Sequence, residues 1–227
     1  MEKMAKNKKK TEEAIGLDVQ LTKSEAFIEK HWKTIVAVLL AVIVVVAGIF
    51  IYRKYMAGVE QDAQNAISKS QQAFSAEQYD VALNGDSTGA IGFLKVIDQF
   101  GGTKTANLAR LYAAICYANL GDTDKAIGMF EDFDDKGDQM ISPAAVAALG
   151  NCYVQKGDKE KGAEMLVKAA RQANNDAISP LALFQAGEVY ESLGKKDEAL
   201  KLYQEIKDKY FRSALANDMD KYIERVK

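Results

Sequence analysis

The side chains able to do chemistry are few, and their spacing sorts them quickly. The densest cluster is acidic: Glu131, Asp132, Asp134, Asp135 and Asp138 lie close together in the chain. Carboxylates are the hard oxygen ligands calcium prefers, but this run lacks the turn glycine and closing glutamate of an EF-hand loop. It reads as a solvated helix end. The single histidine, His31, abuts a long apolar run, so zinc sites and catalytic triads that need histidine elsewhere are excluded. Dinucleotide, P-loop, zinc-protease and nucleophile-elbow signatures are all missing. The chain is therefore expected to be no enzyme, with no catalytic residues, no cofactor and no metal. What is left is surface, and the elements that would display it.

Those elements are helices, and they repeat. Segments beginning at Leu108, Ala144 and Leu181 superpose. Tyr117, Tyr153 and Tyr190 coincide, as do Gly121, Gly157 and Gly194, and the small residues Ala114, Gly150 and Gly187. The second helices follow in register with Ala126, Gly162 and Ala199, then Phe130, Leu166 and Tyr203. A period in the mid-thirties built of helix–turn–helix units is the pattern of a solenoid. The small residues let paired helices approach closely, and the later glycine ends each first helix in a left-handed conformation. Ser142-Pro143 and Ser179-Pro180 each stand ahead of a repeat, serine as expected N-cap and proline in the first turn.

This pattern resembles the tetratricopeptide repeat family: small residue, Tyr, Gly, Ala, then a large apolar residue, three times over. The family's early Trp is replaced by Arg110, Val146 and Leu183, and Gly162 stands where Ala is usual. A degenerate fourth unit is expected upstream, with a first helix from Val59 to about Phe74, a loop at Asn84-Gly85, and Ala90, Leu94 and Ile97 in its second helix. Ser213 opens a final helix that would shield the last repeat. The resemblance implies a concave groove, lined by first helices, that binds proteins or peptide segments. By register its candidates are Leu111, Ile115 and Asn119, then Asn151 and Gln155, then Phe184, Glu188 and Glu191. Cys116 and Cys152 fall at one repeat position on consecutive first helices. Packed helices lie about 8–10 Å apart, more than the roughly 7 Å a disulfide tolerates between Cα atoms. They are expected to stay unpaired.

The apolar run Thr34–Ile51 carries no charge and is flanked by Trp32 and Tyr52. As a helix it would extend roughly 27 Å, close to the hydrocarbon thickness of a bilayer. More than 30 residues precede it and no small-residue cleavage site follows, so it is expected to remain as an uncleaved span. Ala37 and Ala41 form a small-xxx-small pair, too common in spans to specify helix pairing. Of the 30 basic and 32 acidic residues, 8 and 6 fall within residues 1–33, leaving 22 and 26 beyond, a net −4. An acidic domain is poorly suited to nucleic acid. Lys23, Lys30 and Lys33, with Lys8–Lys10 further out, outweigh Arg53 and Lys54 and favour a cytoplasmic N-terminus. The first dozen residues read as disordered, and Leu21–Lys33 as a short amphipathic helix capped by Ser24.

The expected architecture is all-α: a basic cytosolic tail (1–33), a transmembrane helix (34–52) and a repeat domain (53–227) with a C-terminal capping helix. This layout resembles the YfgM-like family of membrane-anchored ancillary subunits of the Sec translocon. That resemblance implies a scaffold at the outer, periplasmic face of the inner membrane, with the translocon or periplasmic chaperones as partners. The alternative is an anchored structural adaptor for an envelope assembly, in outer-membrane biogenesis or cell-wall machinery.

Overall fold

Neither proline of the chain precedes Pro143, so nothing in the first part of the sequence forces a helix to break. The structure, a computed structural model, describes the backbone of residues 2–135 and 137–227, with side chains for residues 27, 28, 30–135 and 137–227. Its first helix, α1, runs from Glu2 to Ser75. The expected disordered tail and separate helix start at Ser24 are thus replaced by continuous helix, in a stretch rich in Lys, Glu and Ala, good helix formers. The side chain of Ser24 lies outside the described residues. Within α1, the segment from Lys30 onward is long and apolar enough to cross a membrane. Its side chains, Val38 and Phe50 among them, are exposed, as are Trp32 and Tyr52.

The chain divides into two compact units, Met1–Ala57 and Gly58–Lys227. In the second unit, helices follow as α2 (Tyr79–Asn84), α3 (Phe93–Gln99), α4 (Lys104–Asn119), α5 (Thr123–Glu131), α6 (Ile141–Lys156), α7 (Lys159–Ala173), α8 (Ser179–Ser192) and α9 (Lys196–Lys209). A 3-10 turn at Ala214–Asp218 and α10 (Met219–Val226) close the chain. Among the described residues there is no strand. Successive helices pack as antiparallel pairs, α4 with α5, α6 with α7 and α8 with α9. The small residues set how closely they approach. A Cβ at Gly162 would stand 2.8 Å from the Gly150 carbonyl oxygen, so α6 and α7 cross backbone against backbone. Gly187 instead leaves room for the Tyr203 ring.

The first helices α4 and α8 end in the same way, while α6 stops on left-handed Gly157, whose amide donates to the Val154 carbonyl at 3.0 Å. Backbone bonds from Asp122 to Tyr117 and from Lys195 to Tyr190, both 2.9 Å, close the turn around left-handed Gly121 and Gly194. The degenerate unit makes the same bond, Gln78 N–H to Ala73 O at 2.9 Å, but places Glu77 at φ 58° where the others have glycine. This fixes its register. Ala82, fully buried, is the counterpart of Ala126, and the turn between its two helices is Ala76–Gln78. The expected loop at Asn84-Gly85 lies within the second helix, which Gly85–Gly92 interrupts to give α2 and α3. Because of that insertion Ala90 falls in the loop and outside any helix, while Leu94 and Ile97 lie in α3 as expected.

Helix starts also differ from expectation. Ser142 and Ser179 are buried inside the first turns, and the caps stand earlier. Asp138 accepts from the amides of Met140 (2.8 Å), Ile141 (2.5 Å) and Ser142 (3.1 Å) and from the Ser142 hydroxyl. Asn175, one period on, accepts from Ala177 and Ile178. A carboxylate or amide upstream thus satisfies first-turn amides, and the proline that follows, third in α6 and second in α8, has no amide to satisfy. The acidic run is therefore partly a capping device, and among the described residues no group of ligating side chains is arranged to hold a metal. At the chain's end Ser213 caps the 3-10 turn through the Leu215 amide, and Met219, Ile223 and Val226 bury against α8 and α9.

Candidate protein-binding groove

Two stripes face each other where α4 meets α6. Leu108, Leu111 and Ile115 recur at i, i+3 and i+7 on α4, and Ile141, Ala144 and Ala148 do so on α6. Leu111 and Ile115 line one side of a hollow of about 270 Å³, with Met140, Ile141, Ala144 and Ala148 on the other. A second hollow of about 490 Å³ shares Ile141 and is lined by Lys104, Asn107, Leu108, Phe133 and Asp138. Large residues on one helix meet alanines on the next, so neither stripe fills the space.

The remaining candidates are placed differently. Asn119 is exposed and donates to the Ile115 carbonyl of its own helix at 2.9 Å. Asn151 is half-buried and spans to α8 through Gln185 Oε1 at 3.4 Å. Gln155 and Glu188 are exposed on α6 and α8. Phe184 and Glu191 are engaged within the fold. The Phe184 ring meets Tyr222 edge-on at 4.8 Å, and Glu191 accepts from the Tyr203 hydroxyl at 2.7 Å and from Arg225 at 2.9 Å. These two positions, groove-facing by register, are covered by the C-terminal helix, which occupies the place of a next repeat. The structure thus brings Leu111 and Ile115 together and gives Phe184 and Glu191 a capping role.

Sequence register passed over Met140, Ile141, Ala144 and Ala148. Facing stripes are offset by 33 residues, whereas equivalent positions are 36 apart, so aligning equivalents pairs Leu111 with Ala147. The signal that would have found them is the repeated i, i+3, i+7 apolar spacing.

Between successive units, polar side chains bind repeat to repeat. Arg171 forks onto Glu205, one bond at 2.6 Å; Lys195 pairs with Glu160; and Lys156 meets Asp124 at 2.6 Å. Each joins groups roughly one repeat apart. Glu60 does the equivalent for the first unit, accepting from the Lys104 amide (2.7 Å) and the Thr105 hydroxyl (2.6 Å) at the start of α4. Burial would raise the Glu60 carboxyl, but the hydrogen bonds from Thr105, Gln64 and the α4 amides together hold it below its ordinary value. Cys116 and Cys152 are free and buried. Burial pushes the Cys116 thiol up to about 12 and the Cys152 thiol upward as well.

The tetratricopeptide repeat family pattern matches residues 108–136 and 181–210. Comparison with curated proteins finds no match. Among solved structures, the nearly identical TPR-like repeats assigned to a kinesin light chain of Podosopora anserina superpose with a TM-score of 0.57 at 10% identity, over 74% of this chain and 86% of that one. A single-substitution variant of those repeats gives 0.56 at 11% identity, over 74% and 85%. At such identity the likeness is one of fold. The middle unit, Ala144–Ala173, falls outside the family match, and it carries the Gly150–Gly162 crossing. The chain is an all-helical protein carrying tetratricopeptide repeats in a TPR-like α-solenoid.

Proposed function

We propose that this protein is a membrane-anchored scaffold whose repeat domain binds protein segments at the outer face of the inner membrane, in association with the Sec translocon or periplasmic chaperones. The observation that carries it is the pairing, in one chain, of an exposed apolar helix long enough to span a bilayer with a repeat solenoid bearing an open apolar groove. Trp32 and Tyr52 at the ends of the run suit the lipid–water boundary, and the lysine excess before it favours the N-terminus inside. The groove is assigned to Leu111, Ile115, Asn119, Asn151, Gln155 and Glu188. Phe184 and Glu191 belong to the capped end.

The test has two arms. Protease added to intact spheroplasts should degrade the repeat domain and spare residues 1–33; protection of the repeats would invert the topology. Crosslinked full-length protein should co-purify with translocon or chaperone subunits. Recovery of outer-membrane or cell-wall assembly factors in their place would favour the envelope-adaptor reading, and recovery of neither would remove both.

A further inference from the structure

We propose that the hollow between α4 and α6 takes an apolar side chain from a short partner segment that also carries a lysine or arginine, with Glu188 reading the cation. This rests on the scaffold reading and narrows its partner.

The hollow itself supplies the apolar half. An apolar cavity of about 150 Å³ is already enough to hold benzene, and this one is about 270 Å³. It is walled by Leu111 and Ile115 against Ala144 and Ala148, so a polar group entering it would lose water and gain no partner. Of its lining, Met140 is 54% exposed and Ile141 49%, and Leu181, on the next first helix, is 51% exposed. Beyond Ala57, Leu120 and Phe211 are the other large apolar side chains so exposed among the described residues. Apolar surface is therefore gathered on this face.

Charge supplies the second half. The groove-facing positions of α4 and α6, from Leu108 to Asn119 and from Ile141 to Gln155, bear no ionised side chain. The other glutamate of α8 on this side is committed, Glu191 to Arg225, as are Glu131 to Tyr153, Glu160 to Lys195 and Glu205 to Arg171 on second helices. Glu188, on α8, is exposed and makes no hydrogen bond or ion pair among the described residues. A segment crossing the face meets a neutral, apolar hollow and then one free carboxylate. An acidic segment would find repulsion there, and the cation of this face, Lys104, stands at the opposite end of α4, in the hollow beyond Leu108. Neighbouring helices stand about 8–10 Å apart, so an extended segment would carry its basic residue about three to five positions from its apolar anchor.

Full-length protein in lipid nanodiscs is titrated with short fluorescent peptides in a Ser/Gly background, followed by anisotropy. One peptide carries two leucines and a lysine; in the second the leucines are serines; in the third the lysine is a glutamate. The leucine–lysine peptide should bind, the serine peptide about tenfold or more weaker, and the glutamate peptide about two- to fivefold weaker. Glu188→Gln should abolish the difference between lysine and glutamate peptides. Ala144→Phe, which fills the hollow from an exposed position, should cut binding about tenfold with an unchanged melting curve. If that variant melts early, Ala148→Leu takes its place. Equal binding of the serine peptide, binding indifferent to the filling variants, or a lysine preference that survives Glu188→Gln would each overturn the proposal. Should Ala144→Phe still capture translocon or chaperone subunits on crosslinking, the scaffold reading stands without this occupant.

Discussion

Glu77 holds a left-handed backbone, φ 58°, that its counterparts Gly121, Gly157 and Gly194 adopt at φ 82°, 98° and 72°. An L-residue with a Cβ is strained there by about 1–2 kcal/mol, part of which glycine would return as unfolded-chain entropy. Glu77→Gly should therefore stabilise the domain by about 0.5–1 kcal/mol, read from the urea midpoint at constant slope. Asp138 gives a pH-dependent counterpart. The Ser142 hydroxyl, then the amides of Met140, Ile141 and Ser142, hold its carboxyl down at about 2, against an ordinary value of 3.8. Its folded-state pKa is the lower one, so the ionised form is what folding favours. Its contribution is complete above the ordinary value and is lost as pH falls through that value towards about 2. Asp138→Asn should be the less stable protein in urea at pH 6, and the gap should narrow to about half by pH 3 and go on closing towards pH 2. A gap that stays constant would show that the cap acts without its charge.

The first unit differs from the others by a loop. Gly85–Gly92 leaves the second helix and returns to where it began: a Cβ on Gly92 would stand 2.6 Å from the Gly85 nitrogen. Asp86 organises the interior by accepting from the amides of Thr88, Gly89 and Ala90, and the buried Ser70 hydroxyl accepts from the Gly92 amide at 3.1 Å. Since the loop's ends nearly touch, excising residues 85–92 should fuse α2 and α3 into one helix with the fold intact. Circular dichroism should report equal or greater helicity per residue, and a collapse of the melting transition would refute it. The same loop explains what the sequence hid. Tyr117, Tyr153 and Tyr190, with their glycines, made three units legible because side-chain identity and spacing change together there. In the first unit the offset to the next repeat is 44 residues before the loop and 36 after it, and Glu77 stands where glycine was sought. Ser142 and Ser179 likewise suited a cap by type, but Asp138 and Asn175 reach the same amides from further back. In the groove, Leu111 and Ile115 were legible by register. Ala144 and Ala148 were not, because alanine matters there for the volume it leaves empty. Nor could register tell that Phe184 and Glu191 are covered, since the helix covering them is no repeat.

Across the repeat domain, the capped end is where the solenoid is closed. Met219, Ile223 and Val226 bury against the last pair, and Tyr222 meets Phe184 while Arg225 reaches Glu191. Truncation after Phe211 would uncover that surface and remove about 4 kcal/mol or more of apolar burial. The truncated protein should bind a hydrophobic dye and unfold at lower urea than the full chain. Unchanged stability would mean that the last repeat needs no cover. A different consequence follows from Cys116 and Cys152. Both thiols are enclosed, and at a pKa of about 12 the first is almost wholly protonated at neutral pH. A maleimide should leave the folded protein unmodified and label both sites once it is denatured, as mass spectrometry would show. The natural chain is then already silent to thiol reagents. One cysteine introduced at Gln155 or Glu188 would become its sole reporter, able to say from intact cells which side of the membrane the groove faces and when something sits in it.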